Sequence, residues 1–340
     1  MNKLPTFTAQ ELIQADIKPP HFVIDEILPT GFVILAAPPK TGKSWLCLSI
    51  ADAVASGNTF WGYKTESGPV LYLALEDSGY RIKQRLEAIG STIPKNLHFA
   101  IHGADTISGG LIDQLQAWTD ENPGAKLIIC DTIGRVKNSG KPGQNAYEAD
   151  TSIFATIQQF AIKQAICFIG VSHFSKLKNN TDDPFERITG SMGAFGVADA
   201  AWIISGKRGN AQQTLRITGR DIADDSYQIT LENCIWKLNG STAELDQQAK
   251  IDTYKQSPVI KTIRTLVKNF GSWEGTARQL INEVWLLQKD CSISTAQEMG
   301  ITLKGYKEML TSIDGIAFSQ NPGGKKGRGY RFAPSSTPFI

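Results

Sequence analysis

Long apolar runs, paired cysteines, histidine and any large net charge are all scarce in this 340-residue chain, and each shortage excludes a class of protein. No run approaches the roughly 18 to 20 apolar residues that a membrane-crossing helix needs, and residues 1–13 lack the basic-then-apolar order of a signal peptide, so a cytoplasmic protein is expected. The five cysteines (Cys47, Cys130, Cys167, Cys234 and Cys291) are odd in number, widely spaced and mostly set in apolar stretches. They read as reduced core thiols rather than disulfides or ligands, and no structural metal is expected. Net charge is only +2, but it is unevenly shared: residues 255–340 carry 12 Lys/Arg against 6 Asp/Glu, leaving 23 against 27 for residues 1–254. This asymmetry suggests that the C-terminal part meets something anionic, with solvated surface charge as the plainer alternative. No internal repeat is present.

What the chain does have is alternation. Short apolar strand candidates at 32–36, 70–75, 97–101, 126–130, 165–171 and 200–204 are followed by two more at 214–218 and 227–231, and helical candidates at 43–56, 79–89, 110–119 and 148–163 lie between them. Continuously apolar strands separated by helices predict an α/β fold whose mainly parallel sheet is covered on both faces and finishes in antiparallel strands. Thr8-Ala9-Gln10-Glu11 has the form of a capping box, so residues 1–20 read as a short helical arm ahead of a core at 21–240. A polar stretch, 241–256, reads as a linker to a small module at 257–335. There, helices at 258–269, 276–287, 294–300 and 302–313 precede a hairpin, 316–319 and 330–332, with a glycine-rich basic tip. This order is expected for a winged helix, with residues 303–313 as recognition helix and the tip as wing.

The first strand leads into Ala37-Pro38-Pro39-Lys40-Thr41-Gly42-Lys43-Ser44, and a helix follows at once. Strand, tight loop and helix in this order form a P-loop. Its backbone N–H groups surround a phosphate chain, the helix adds its positive end, Lys43 reaches the β/γ-phosphates and the Ser44 hydroxyl holds Mg²⁺. Residues 38–45, from Pro38, Pro39, Lys40, Thr41 and Gly42 through Trp45, are the expected nucleotide contacts, and ATP with Mg²⁺ the expected ligands. Ala37 stands where the usual pattern has glycine, so its methyl group must fit the turn.

Three further strand ends supply chemistry. Val70-Leu71-Tyr72-Leu73-Ala74-Leu75 ends in Glu76-Asp77; Glu76 is the expected base that polarises the attacking water, the alternative being that the pair only caps the next helix. Lys126-Leu127-Ile128-Ile129-Cys130-Asp131 has the form of a Walker B strand, with Asp131 completing the metal site. The strand at 165–171 delivers Ser172-His173, and His173 is the histidine placed to contact the γ-phosphate.

These segments, together with Thr218-Gly219-Arg220-Asp221, resemble in order and spacing the RepA-type replicative helicases of plasmids, phages and other mobile elements, within the RecA/DnaB-like hexameric class. The resemblance covers residues 20–238. It implies a RecA-like core, a homo-hexameric ring with ATP bound between neighbours, single-stranded DNA in the channel and translocation driven by hydrolysis. It further implies that His173 senses the γ-phosphate and that Arg220 is the finger inserted into a neighbour's site; Arg216 and Arg208 compete for that role, and Arg220 can instead pair with Asp221 or Asp224. Two loops are expected to grip DNA backbone, one carrying Arg135, Lys137 and Lys141, the other Lys176, Lys178 and Arg187. In the C-terminal module, Lys304, Lys307, Lys325, Lys326 and Arg328 are expected to meet duplex DNA, with a replication protein or another subunit as alternative partners. A regulatory or partitioning switch without unwinding is the competing reading. A small-molecule kinase is disfavoured because no lid-like arginine cluster accompanies the P-loop.

Overall fold

The continuously apolar runs at the centre of the chain's alternation become strands buried on both faces, the run at 97–100 a half-buried one, and the helix-forming segments between them cover those faces. The computed structural model describes the chain except residues 1–5, 17–18, 91, 93, 138–145, 174–191, 208, 290–292, 325–326 and 336–340. It divides into two compact units, Met1–Thr242 and Ala243–Ile340.

The first unit begins with α1 (Ala9–Gln14), capped as expected by the reciprocal Thr8 and Glu11 bonds, and a small β1 (Phe22–Ile24), β2 (Leu28–Pro29) pair. The alternation then runs β3 (Gly31–Ala37), α2 (Lys43–Ser56), β4 (Val70–Ala74), α3 (Gly79–Ile89), β5 (Leu97–Ala100), α4 (Leu111–Glu121), β6 (Leu127–Asp131), α5 (Ala146–Gln164), β7 (Cys167–His173), α6 (Met192–Val197) and β8 (Ala200–Ser205). It closes with β9 (Gln212–Gly219), β10 (Asp225–Glu232) and β11 (Ile235–Ser241). One nine-stranded sheet results, in the order β11-β10-β9-β8-β3-β7-β6-β4-β5. From β8 to β5 every pairing is parallel; β9, β10 and β11 add antiparallel ladders at one side.

β3 lies inside the sheet and feeds two cores. Val33, Leu35 and Ala37 pack with Leu46, Ile50 and Val54 of α2, whereas Phe32, Ile34 and Ala36 pack with Phe154, Ile157 and Phe160 of α5. The alternation follows from the two-residue period of a strand, and it leaves no solvent face on which polar residues would be favoured. β11 was not legible as a strand because Asn239-Gly240-Ser241 resembles a break. The hairpin instead turns at Asn233 and Cys234, both at positive φ, and a bulge in the β10–β11 register accommodates Asn239, between the paired residues Leu238 and Gly240.

The polar stretch expected to be a linker is helical: α7 spans Thr242–Gln256. It contains neither glycine nor proline, and it buries a single residue, Tyr254, so its surface reads as polar coil while its propensity is helical. Tyr254 and Arg264 both donate to the Asp314 carboxylate, which ties α7 to the rest of the second unit. That unit continues with α8 (Pro258–Phe270), β12 (Trp273–Thr276), α9 (Ala277–Gln288), α10 (Ala296–Asp314), β13 (Ile316–Gly324) and β14 (Gly327–Pro334), the strands ordered β12-β14-β13. The two short helices expected around residue 300 are one. Gly300 does not end a helix; a Cβ there would lie 3.3 Å from the Tyr330 hydroxyl, so the glycine permits close packing.

The start of β3 constrains the backbone at one residue. Gly31 has φ +105°, and a Cβ on it would lie 2.3 Å from Asp199 Oδ2, which already accepts the Phe32 N–H at 2.9 Å. Gly31→Ala therefore combines a left-handed penalty of about 1 to 3 kcal/mol with disruption of a buried carboxylate bond worth about 1 kcal/mol or more. Thermal unfolding of this variant should show a clear loss of stability; an unchanged midpoint would contradict this account of the β3 entry.

Candidate functional site

The parallel register brings the sequence-separated candidates to one edge. Ala37 pairs with His173, Ala74 with Asp131, and Asp131 with Val171, so β3, β7, β6 and β4 all finish side by side. The residues that follow β3, namely Pro38 to Gly42, form the loop before α2. Ala37 belongs to the strand and has no positive φ, so the position needs no glycine; the left-handed residues are Lys40 (φ +64°) and Gly42 (φ +91°). The Thr41 hydroxyl donates to the Pro38 carbonyl at 2.8 Å. The Gly42 carbonyl accepts N–H bonds from Trp45 and Leu46 and a third, at 3.0 Å, from the indole of buried Trp236 on β11. Any Cβ on Gly42 would lie within 3.2 Å of Leu231 and Trp236, so this glycine is required for room as well as for φ. Trp45, the last expected contact residue, lies under the Arg85 guanidinium, 5.5 Å from its ring centre.

Lys43 is 6% exposed, and its ammonium is turned onto its own loop. It donates to the carbonyls of Ala37 (2.9 Å) and Pro38 (3.0 Å) and lies 3.1 Å from His173 Nδ1. Burial lowers its pKa to about 8, against the opposing pull of Asp131 and Glu76. Burial, and then the neighbouring Lys43 charge, also lower the pKa of His173, which keeps the imidazole neutral and its Nδ1 an acceptor for the ammonium.

Ser44 donates its hydroxyl proton to Asp131 Oδ2 at 2.7 Å. Tyr72 of β4 donates to the same oxygen at 2.9 Å, and Asp131 is 6% exposed. A hydroxyl and one carboxylate, both hard oxygen donors beside a phosphate loop, fit Mg²⁺, which binds through one or two protein oxygens plus phosphate and water. Ser44 and Asp131 are therefore the residues able to hold it. Glu76 is more open, its side chain 42% exposed; Oε1 accepts from the Thr132 hydroxyl at 3.1 Å and from Arg135 Nε at 3.3 Å. Asp77 does not share that role. Arg81 and Arg85 bind its carboxylate, and Ser78 caps α3.

Other expected residues are placed differently. Because β9 runs antiparallel to β8, Gly219 pairs with Ala200 at the start of β8, and Arg220 lies at the opposite sheet edge from Lys43. Its guanidinium is 3.4 Å from Asp199 Oδ1 rather than on Asp221 or Asp224. That position lies away from its own chain's P-loop. Arg216 sits within β9, paired with Ile203 and Ser226, and Arg208 lies outside the described residues. Lys137 is bonded at 2.6 Å to Asp150, which is 1% exposed, so its charge is already neutralised. Lys141, Lys176, Lys178, Arg187, Lys325 and Lys326 lie outside the described residues, and Arg328 belongs to β14. Lys304 and Lys307 are exposed on α10. Tyr72, Thr132 and Trp236 are the site residues that motif reading passed over. Tyr72 had a visible signal, as the one hydroxyl in an otherwise apolar strand.

Cys47, Cys130 and Cys167 are buried thiols, as composition suggested, and no described helix is long and apolar enough to cross a membrane.

The Lys43 environment gives a pH dependence with a definite sign. Bound phosphate favours the ammonium and raises its pKa, so above about 8 the complex holds a proton that the free chain has lost. In chelator, nucleotide affinity should fall as pH rises from 8 to 9.5, approaching about tenfold per unit at the steepest. Lys43→Arg, which does not titrate there, should give a flat profile by fluorescent-ADP titration; identical slopes in both chains would rule Lys43 out as the cause.

Comparison with known proteins bears on this geometry. No curated protein matches the chain. Among solved structures, the chain is similar to a DnaB-like replicative helicase described with its interactions with primase (14% identity, TM-score 0.48, 61% of this chain and 57% of that one). It is also similar to a separately solved ATPase domain (14%, 0.49, 61% and 84%). A third is a KaiC-like protein from Pyrococcus horikoshii (10%, 0.46, 66% and 98%). The family model described as AAA domain matches residues 2–179, more than half of the chain and the whole run from the P-loop through His173. With that match, the chain belongs to the AAA domain family of P-loop ATPases.

Proposed function

We propose that this protein is an ATP-hydrolysing DNA translocase, a replicative helicase of a plasmid, phage or other mobile element, working as a homo-hexameric ring on single-stranded DNA. The observation that carries the reading is one contact: Arg135, on the segment after Asp131 expected to face DNA, reaches Glu76, the expected base, at 3.3 Å. Lys43 and Ser44 take the phosphates and Mg²⁺, Asp131 completes the metal site, Glu76 polarises the attacking water and His173 follows the γ-phosphate. Arg135 is 62% exposed, so a DNA phosphate can compete for its guanidinium. When it does, Glu76 loses its counter-charge and is freed toward water, and hydrolysis becomes conditional on DNA. Arg220, at the far edge, is assigned as the finger for a neighbouring subunit.

In the second unit, the order α8, β12, α9, α10, β13, β14 with a three-stranded sheet supports the winged-helix reading. Exposed Lys304 and Lys307 on α10, with the basic Lys325, Lys326 and Arg328 tip, favour duplex DNA as its ligand.

Steady-state ATP hydrolysis with and without single-stranded DNA tests the proposal, with Lys43→Ala as the blank. Several-fold stimulation is expected, and Glu76→Gln should bind ATP yet lose turnover by about 10² or more. DNA-insensitive turnover would instead favour a DNA-bound regulatory switch. Arg135→Gln should raise the DNA-free rate several-fold and flatten the stimulation; a lowered DNA-free rate would mean that Arg135 assists Glu76 rather than restraining it.

A further inference from the structure

Tyr72 lies in the middle of β4, 3% exposed, with its ring stacked on Phe99 of β5 (centroids 5.6 Å apart, planes 29°). A phenol at such a position must find an acceptor, and the one it has is Asp131 Oδ2, at 2.9 Å. The same oxygen receives the Ser44 hydroxyl at 2.7 Å. Two donors converging on one carboxylate oxygen fix the rotation of the carboxylate about its Cβ–Cγ bond. Oδ1 is then the oxygen without a hydrogen-bond donor among the described residues. A carboxylate oxygen offers only lone pairs, so Tyr72 is the donor in this bond.

We propose that Tyr72 is a positioning residue for the Mg²⁺ site: its hydroxyl orients Asp131 from behind so that Oδ1 faces the cation. The inference rests on the reading of Ser44 and Asp131 as the metal-holding pair. Ser44 reaches Asp131 from the loop side, whereas Tyr72 reaches it from inside the sheet, so one donor remains when the loop rearranges around nucleotide. The position is set by register. Ala74 pairs with Asp131 across the β4–β6 ladder, and Tyr72, two residues earlier on the same face of β4, projects alongside it. Partners of this kind, which touch a ligand residue and not the metal, alter metal affinity by about 10- to 100-fold when removed.

The full-length chain and its Tyr72→Phe variant are titrated with fluorescent ADP, first in chelator and then at graded Mg²⁺, and Mn²⁺ binding is followed by the loss of the free-ion paramagnetic signal. Tyr72→Phe keeps the ring and its stacking and deletes one oxygen. Its affinity for ADP in chelator should stay within about twofold of the parent, while the divalent-ion concentration giving half of the metal-dependent gain rises by about tenfold. Phe99→Leu serves as the packing control: it loosens the same ring but retains the hydroxyl, and should keep the parent's metal dependence. Equal metal dependence in Tyr72→Phe and the parent overturns the positioning role. So does a loss of ADP affinity that is as large in chelator as in Mg²⁺, or an equal shift in Phe99→Leu, either of which makes Tyr72 a packing residue. Absence of any metal-dependent gain in the parent would overturn the metal-site reading itself.

Discussion

Parallel hydrogen bonding between β3, β7, β6 and β4 is the constraint from which the site follows. In a parallel ladder every strand exits at the same edge, so Lys43, His173, Asp131 and Glu76, scattered over more than a hundred residues of sequence, leave the sheet together. Reversing one strand sends its terminal residue away, as β9 demonstrates by carrying Arg220 to the far edge. Helices on both faces allow this geometry to be buried, because the apolar side chains of β3, β4 and β6 pack into the two cores on either side of the sheet.

Buried charge at that edge is stable only because each group has been given a partner. Lys43 leans on two carbonyls and a neutral imidazole, Asp131 on two hydroxyls, and Asp150 on Lys137. A lone charge in such a place would cost several kcal/mol, and a neutral donor or acceptor reduces that cost without locking the group permanently. Lys43 is accordingly held by contacts weaker than those phosphate oxygens can offer. Asp131 is different, since the Tyr72 bond comes from the sheet itself and does not depend on what occupies the loop.

Legibility was uneven, and for physical reasons. The P-loop, the Walker B strand and the strand before Glu76 could be read because apolar runs and glycine positions report local backbone needs directly. The helix at 242–256 could not be recognised as one, because a helix that buries only Tyr254 has no apolar stripe. Gly300 looked like a terminus but serves close packing against Tyr330. Asn233-Cys234 gave no hairpin signal, although both residues adopt the left-handed conformation there. The expected basic contacts fared differently again: the charge of Lys137 was plain in the sequence, and its neutralisation by Asp150 was not.

The amino-acid sequence by itself determined the tight loop, the helix start and the apolar runs that end in a carboxylate, because those features are set by local backbone and burial requirements. Only the tertiary structure decided which of them meet. Strand order joined Ala37 to His173, register set Tyr72 behind Asp131, and an antiparallel reversal placed Arg220 at the other edge. Pairings across a sheet depend on contacts between residues distant in the chain, and no spacing along the chain encodes them.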